Sequence, residues 1–94
     1  MLSGKQKRYL RSLAVNKKPM FQIGKDGLTD NLYDGISDAL KVHELIKINV
    51  LKSCALTMNE IIVEICANTN SELVQEIGKT IVIYKPSKER KIKI

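Results

Sequence analysis

One segment decides the fold, Met20-Phe21-Gln22-Ile23-Gly24-Lys25-Asp26-Gly27-Leu28-Thr29, because it predicts a strand that turns at once into a helix. Pro19 interrupts the chain before it, and the run from Met20 to Ile23 is typical of a short strand. Thr29 suits the N-cap of the helix that follows. The inward stripe of that helix consists of Leu28, Leu32, Ile36, Ala39 and Leu40.

The turn from Gly24 to Gly27 is the first candidate binding site. Glycine has no side chain, so Gly24 and Gly27 let a nucleic-acid backbone come close. The N–H groups and the positive dipole end of the next helix then face a phosphate, as in the GxxG loop of KH-type RNA-binding domains. Lys25 suits a phosphate contact, whereas Asp26 repels one unless it turns aside or caps the helix. An ordinary turn, in which the glycines only satisfy geometry, is the alternative.

The rest of the chain predicts five further elements. A capping box at Ser3-Gly4-Lys5-Gln6 begins a helix to about Val15, and Thr57-Met58-Asn59-Glu60 begins another to about Asn68. Leu45 to Lys52 alternates as a strand, and Leu73 to Ile77 and Thr80 to Tyr84 flank Gly78-Lys79 as a hairpin. The order α-β-α-β-α-β-β predicts one α/β domain over residues 1–94, with a four-stranded mixed sheet and helices packed against it.

The charge is concentrated at the two ends of the chain. The net charge is +6, yet residues 1–18 hold six basic residues and no acid, and residues 85–94 hold five against one acid. If the fold joins the ends, they form a basic surface suited to a phosphate backbone; solvated ends that aid solubility are the alternative. The outer face of the second helix is acidic, with Asp30, Asp34 and Asp38. The expected binding surface comprises Lys5, Lys7, Arg8, Arg11, Lys17, Lys18, Lys85, Lys88, Arg90 and Lys91.

Several other classes of function find no support in the sequence. No stretch approaches the roughly 18 apolar residues of a membrane span, and the polar start is not a signal peptide, so we expect a cytoplasmic protein with no membrane partner. Cys54 and Cys66 lack metal-ligand spacing, and no catalytic constellation is visible, so we expect no metal, cofactor, small-molecule substrate or enzymatic activity. We expect His43 to be packed and hydrogen-bonded at a helix end, with only Tyr9 free to stack on a base.

Five segments along nearly the whole chain carry a resemblance to a known family. They are Lys5-Gln6-Lys7, Ile23-Gly24 to Gly27-Leu28-Thr29, His43-Glu44-Leu45-Ile46-Lys47, Ile77-Gly78-Lys79-Thr80 and Tyr84-Lys85-Pro86-Ser87-Lys88-Glu89-Arg90-Lys91. With them the chain resembles the YhbY-like proteins, which carry the CRM (chloroplast RNA splicing and ribosome maturation) domain.

The resemblance implies both a fold and a function. It implies an α/β fold similar to the C-terminal domain of translation initiation factor three, and RNA binding through Gly24, Lys25, Asp26, Gly27 and the neighbouring basic surface. Stand-alone bacterial members look like assembly factors on precursors of the large ribosomal subunit, so the expected partner is ribosomal RNA or a pre-ribosomal particle. The alternative is a protein-interaction adaptor that binds ribosomal or other proteins through its basic helix. The sequence indicates no oligomeric state.

Overall fold

The helices and strands follow the order that the sequence predicts. The computed structural model describes residues 2–94. Its elements are α1 (Gly4–Ala14), β1 (Phe21–Ile23), α2 (Asp30–His43), β2 (Leu45–Val50), α3 (Met58–Thr69), β3 (Glu72–Ile77) and β4 (Thr80–Tyr84). β2 ends two residues earlier than expected. There the Leu51 N–H pairs with the Ile23 carbonyl, and the chain then turns, with the Cys54 N–H on the Leu51 carbonyl.

The four strands form one mixed sheet in the order β1-β2-β4-β3. β1 runs parallel to β2, as the strand-helix-strand succession predicts, and β4 runs antiparallel to both of its neighbours. At one end of the sheet β1 and β2 finish and Asn49 pairs with Thr80; this is called the loop end. At the other end Leu45 pairs with Tyr84, where the C-terminal segment leaves β4; this is called the tail end.

Each strand alternates between the two faces of the sheet, and both faces are partly covered by helices. On one face, the apolar residues of β2 and β4 pack against α2 and α3. The buried members of this cluster are Ile23, Ile36, Leu40, Ile46, Ile48, Val50, Ile61, Ile65, Ile81 and Ile83. This face holds the larger core and fixes the two helices that border the GxxG turn.

The opposite face is covered by α1, and here the two ends of the chain meet. Leu10 and Ala14 of α1 pack on a patch formed by Leu45, Val74, Val82 and Tyr84. Leu2 from the N-terminal end and Ile92 from the C-terminal end pack against the same cluster. The basic residues on both sides of these anchors are therefore brought to one region of the molecule.

Candidate nucleic-acid interface

The two glycines of the GxxG turn are needed for different structural reasons. Gly27 has a φ of 65°, in the left-handed region that favours glycine, and its N–H closes the turn on the Gly24 carbonyl at 3.0 Å. Gly24 needs a small residue instead, because a Cβ there would lie 3.3 Å from both Leu51 Cδ1 and Ser53 Oγ. The turn is thus shaped by the segment after β2 as well as by its own residues, and its geometry is explained without RNA.

The tip of the turn is open to solvent and mixed in charge. Lys25 and Asp26 are both exposed. Thr29 caps α2, its Oγ1 accepting from the Leu32 N–H at 3.1 Å, and Asp30 lies in the first helical turn. The two carboxylates beside the helix start reduce the positive potential that the helix dipole provides there. The turn therefore lets a nucleic-acid backbone come close but contributes little positive charge.

Two lysines outside the expected set lie near this turn. The Leu51 N–H donates to the Ile23 carbonyl at 2.8 Å, which brings exposed Lys52 beside the turn. The Val50 N–H donates to the Lys79 carbonyl at 2.7 Å, which places the exposed hairpin lysine at the same loop end. Strand pairing alone brings these two lysines to the turn, so their position can be predicted only when the strand order β1-β2-β4 is known.

Helix α1 presents its basic residues outward. The expected capping box is present: the Gln6 N–H donates to Ser3 Oγ at 3.1 Å and the Ser3 N–H donates to Gln6 Oε1 at 2.8 Å. Lys5, Arg8 and Arg11 are exposed and Lys7 is half-buried. Because Leu10 and Ala14 fix the opposite side of the helix to the sheet, the basic side has to face solvent.

The C-terminal segment is fixed to the tail end of the sheet by one buried carboxylate, that of Glu44. Glu44 Oε2 accepts from the Ser87 N–H at 2.8 Å, from the Ser87 hydroxyl, and from the Lys91 N–H at 3.0 Å. Glu44 Oε1 accepts from the Ile92 N–H at 2.7 Å. The segment from Ser87 to Ile92 with these bonds is called the clamped tail; its Lys88, Arg90 and Lys91 are exposed, and Lys85 before it is half-buried.

The environment of Glu44 favours its ionised form. Burial by itself raises the pKa of the Glu44 carboxyl, but the hydrogen bonds from the Ser87 hydroxyl and from the N–H groups of Ile92, Ser87 and Lys91 lower it to about 2. The residue also ends α2 with a φ of 63°, a conformation that non-glycine residues seldom adopt. An ionised carboxylate and an unusual backbone geometry thus occur at one buried position.

The expected binding residues occupy the two ends of the sheet. The α1 residues and the clamped tail meet at the tail end, while the GxxG turn lies at the loop end, about 16 Å away along the six residues of β2. The Met20 N–H donates to the Lys47 carbonyl at 2.9 Å, so the exposed Lys17 and Lys18 lie between the two ends. Half-buried Lys47, which lies outside the expected set, faces the α1 side with its pairing partner Val82.

The acidic residues of α2 lie on the face of the sheet opposite to α1. Asp30, Asp34 and Asp38 are exposed on α2, which packs on the face opposite to α1. Lys41 reaches Asp38 at 3.7 Å as an exposed ion pair. The two sides of the molecule therefore differ in charge, as the helical periodicity predicts.

One prediction about a single residue is wrong, and others are confirmed. His43 is the last residue of α2, as expected, but its side chain is exposed rather than packed. Glu44 enters the interior instead, because the chain leaves the helix there and turns the carboxylate toward the tail. Tyr84 is buried, Tyr33 packs half-buried against the core, and Tyr9 is 47% exposed beside the basic side of α1.

The thiols and carboxylates of residues 2–94 form no metal centre. Cys54 and Cys66 are free and half-buried, and burial raises the pKa of the Cys66 thiol. No group of three or more His, Cys, Asp or Glu side chains in the described part of the chain is placed to hold a metal ion. None of the helices within residues 2–94 has the length and apolar character needed to cross a membrane.

An α/β domain of this topology, with a GxxG turn and a basic helix against a basic C-terminal segment, has the features of a CRM-type domain. The family model of the CRS1 / YhbY (CRM) domain matches residues 2–85, and the chain belongs to this family. The match includes the turn and α1 and ends at Lys85, just before the clamped tail.

Relatives of similar length cover nearly the whole chain. A protein of Bacillus subtilis named "Probable RNA-binding protein YqeI" is 50% identical over 91 residues, which are 97% of this chain and 95% of the relative. A protein of Haemophilus influenzae named "RNA-binding protein" is 41% identical over 93 residues, 99% of this chain and 94% of the relative. The solution structure of SAV1595 from Staphylococcus aureus is similar with a TM-score of 0.81 at 53% identity, covering 97% of this chain and 95% of that one.

Proposed function

We propose that this protein binds structured ribosomal RNA on precursors of the large ribosomal subunit and acts in the cytoplasm as an assembly factor, without catalysing a reaction. The observation that supports this most is the meeting of α1 and the clamped tail at the tail end of the sheet. Leu2 and Ile92, from opposite ends of the sequence, pack in one cluster there. Membership of the CRM family, whose relatives are named RNA-binding proteins, supports the same proposal.

The two ends of the interface have different parts in this proposal. Residues 1–94 act as one CRM-type domain in which Gly24 and Gly27 let the RNA backbone come close at the loop end. Most of the affinity comes from phosphate contacts of α1 and the clamped tail, where exposed cations are dense. Tyr9 is the one tyrosine with its ring well exposed, so stacking on bases adds little. Binding of this kind follows RNA shape and charge, with modest sequence preference.

A salt titration tests this proposal. Binding of a labelled hairpin from large-subunit ribosomal RNA should weaken steeply with salt, with a log-log slope of about −4 or steeper if five or more phosphates are contacted. The measurement is fluorescence anisotropy at several salt concentrations. An affinity that salt does not change would contradict a phosphate-based interface. Crosslinking in cells should recover large-subunit ribosomal RNA at discrete positions.

A protein partner is the second candidate function, and one feature of α1 favours it. Leu13 is 36% exposed and Val15, which caps the helix, is 73% exposed, so apolar surface adjoins the basic side. An adaptor of this kind would bind ribosomal or other proteins through α1, and such a complex would survive nuclease treatment. It would also bind the ribosomal hairpin no better than an unrelated polyanion. These two outcomes together would favour the adaptor over the RNA-binding protein.

A further inference from the structure

Glu44 is costly to bury, and all of its compensating bonds come from the clamped tail. It is the one carboxylate among residues 2–94 whose residue is 0% exposed. A buried carboxylate without partners is strongly destabilising, and here the four bonds to Ser87, Lys91 and Ile92 supply the partners. The φ of 63° adds backbone strain at the same residue. The hydrogen bonds that offset these two costs also fix the C-terminal segment in place.

The clamp gives the tail a defined shape. Glu44 holds Ser87 at one end of the segment and Lys91 and Ile92 at the other. Between them the Arg90 N–H donates to the Ser87 carbonyl at 3.2 Å, with Arg90 at a φ of 47°, so the segment forms a closed turn. The Ile92 side chain then packs against the α1 cluster. The exposed cations of this turn therefore project from a fixed backbone, and the Lys91 ammonium also donates to the Val42 carbonyl of α2 at 3.0 Å.

We propose that Glu44 is a positioning residue for RNA binding, which holds Lys88, Arg90 and Lys91 as a preorganised set of phosphate contacts at the tail end of the sheet. The inference rests on the proposed function. It adds Glu44 to the residues that matter for binding, although Glu44 cannot touch RNA itself, because its side chain is buried and negatively charged. Fixing the backbone in advance removes the ordering entropy that a free basic tail would lose on binding. The cations then engage the RNA together.

Because Glu44 is negatively charged, the Glu44→Gln variant separates a positioning role from a simple effect of net charge. Removing a negative charge raises the net charge, so simple electrostatics predicts tighter binding to RNA. The positioning role predicts the opposite. Gln keeps the size of the side chain, but its amide cannot accept on both sides: with its oxygen toward Ser87 and Lys91, its NH₂ group faces the Ile92 N–H. The tail should then detach.

The experiment is a double-mutant cycle on the labelled ribosomal hairpin. Glu44→Gln is made in the wild-type chain and in a tail-neutralised chain carrying Lys88→Gln, Arg90→Gln and Lys91→Gln. In the wild-type chain we expect about a tenfold loss of affinity and a salt slope shallower by about two. In the tail-neutralised chain we expect no further loss. Hydrogen exchange of the Lys91 and Ile92 amide protons is measured by NMR at a temperature where all variants are folded. We expect the exchange to be fast in Glu44→Gln and slow in wild type.

Each other outcome overturns the inference. Unchanged or tighter binding of Glu44→Gln, or an equal loss in both chains, would show that the effect of Glu44 does not pass through the tail cations. Slow amide exchange in the variant would show that the carboxylate is not what holds the tail. If the wild-type chain itself fails to bind the hairpin, the proposed function fails as well. That result is distinguishable, because amide exchange reports the clamp without RNA.

Discussion

Glu44 also gives the protein a specific dependence of stability on pH. Its pKa falls from an ordinary 4.5 to about 2 in the folded chain, so folding favours the ionised form. A depressed pKa contributes stability that is complete above about pH 4.5 and is lost as the pH falls toward 2. We expect wild type to lose on the order of 2 kcal/mol more than Glu44→Gln between about pH 6 and pH 3. Urea unfolding at both pH values measures this, and equal losses would contradict it.

Single residues were predictable where their reasons are local. Gly27 lies at a position of the turn that needs a positive φ, and a strand that runs directly into a helix predicts such a turn. The role of Glu44 is not predictable in this way, because its partners lie 43 to 48 residues further along the chain. Helical periodicity instead assigns the buried position to His43, since it cannot show where the helix ends and the chain turns.

At the scale of elements, the attachment of α1 depends on few residues. Leu10 is 0% exposed and packs on the strands together with Ala14, whereas Leu13 on the same helix is 36% exposed. We expect Leu10→Ala to lower the free energy of unfolding by about 2 to 5 kcal/mol, through lost contacts and the cavity that remains. Leu13→Ala is the matched control and should cost about 0.5 kcal/mol or less. Urea unfolding of the two variants measures the difference, and equal costs would contradict the packing of α1.

The sequence predicts the type and order of the elements better than their neighbours in the sheet. Capping residues such as Ser3 and Thr57 and strong periodicity identify the helices, and the Gly78 turn identifies the hairpin. The position of β4 between β2 and β3 depends on contacts between distant segments, which local patterns do not record. Lys52 and Lys79 are missed for this reason, because only that strand order brings them to the loop end.

At the scale of the whole molecule, charge and shape restrict how RNA can lie. The chain measures 36 × 25 × 23 Å, with the acidic residues of α2 on one side and the basic residues of α1 on the other. An RNA that touches both the GxxG turn and the clamped tail must span the length of the sheet. The two ends share no residue and lie roughly 16 Å apart. They should therefore contribute to binding independently.

This independence predicts additive effects of loop and tail variants. Lys25→Asp should weaken binding of a hairpin longer than the 36 Å long axis by roughly three- to tenfold. The tail-neutralised chain should show a separate loss, and the chain with both changes should lose the sum of the two free energies within about 0.5 kcal/mol. With a short oligonucleotide that cannot reach both ends, we expect only one of the losses. Anisotropy titrations of the four chains with both RNAs measure this.

The control places the same charge change on α3, outside the proposed RNA contacts. Val63 and Ala67 are exposed on α3, so Val63→Glu combined with Ala67→Glu alters the net charge as much as Lys25→Asp does. If contact with RNA matters, the α3 variant should bind within about twofold of wild type, because neither substituted side chain belongs to the proposed phosphate contacts and salt weakens the effect of charges that make no contact. An equal loss in the α3 variant would mean that net charge alone governs binding. A loop loss that disappears in the tail-neutralised chain would mean that RNA engages the turn only after the tail holds it.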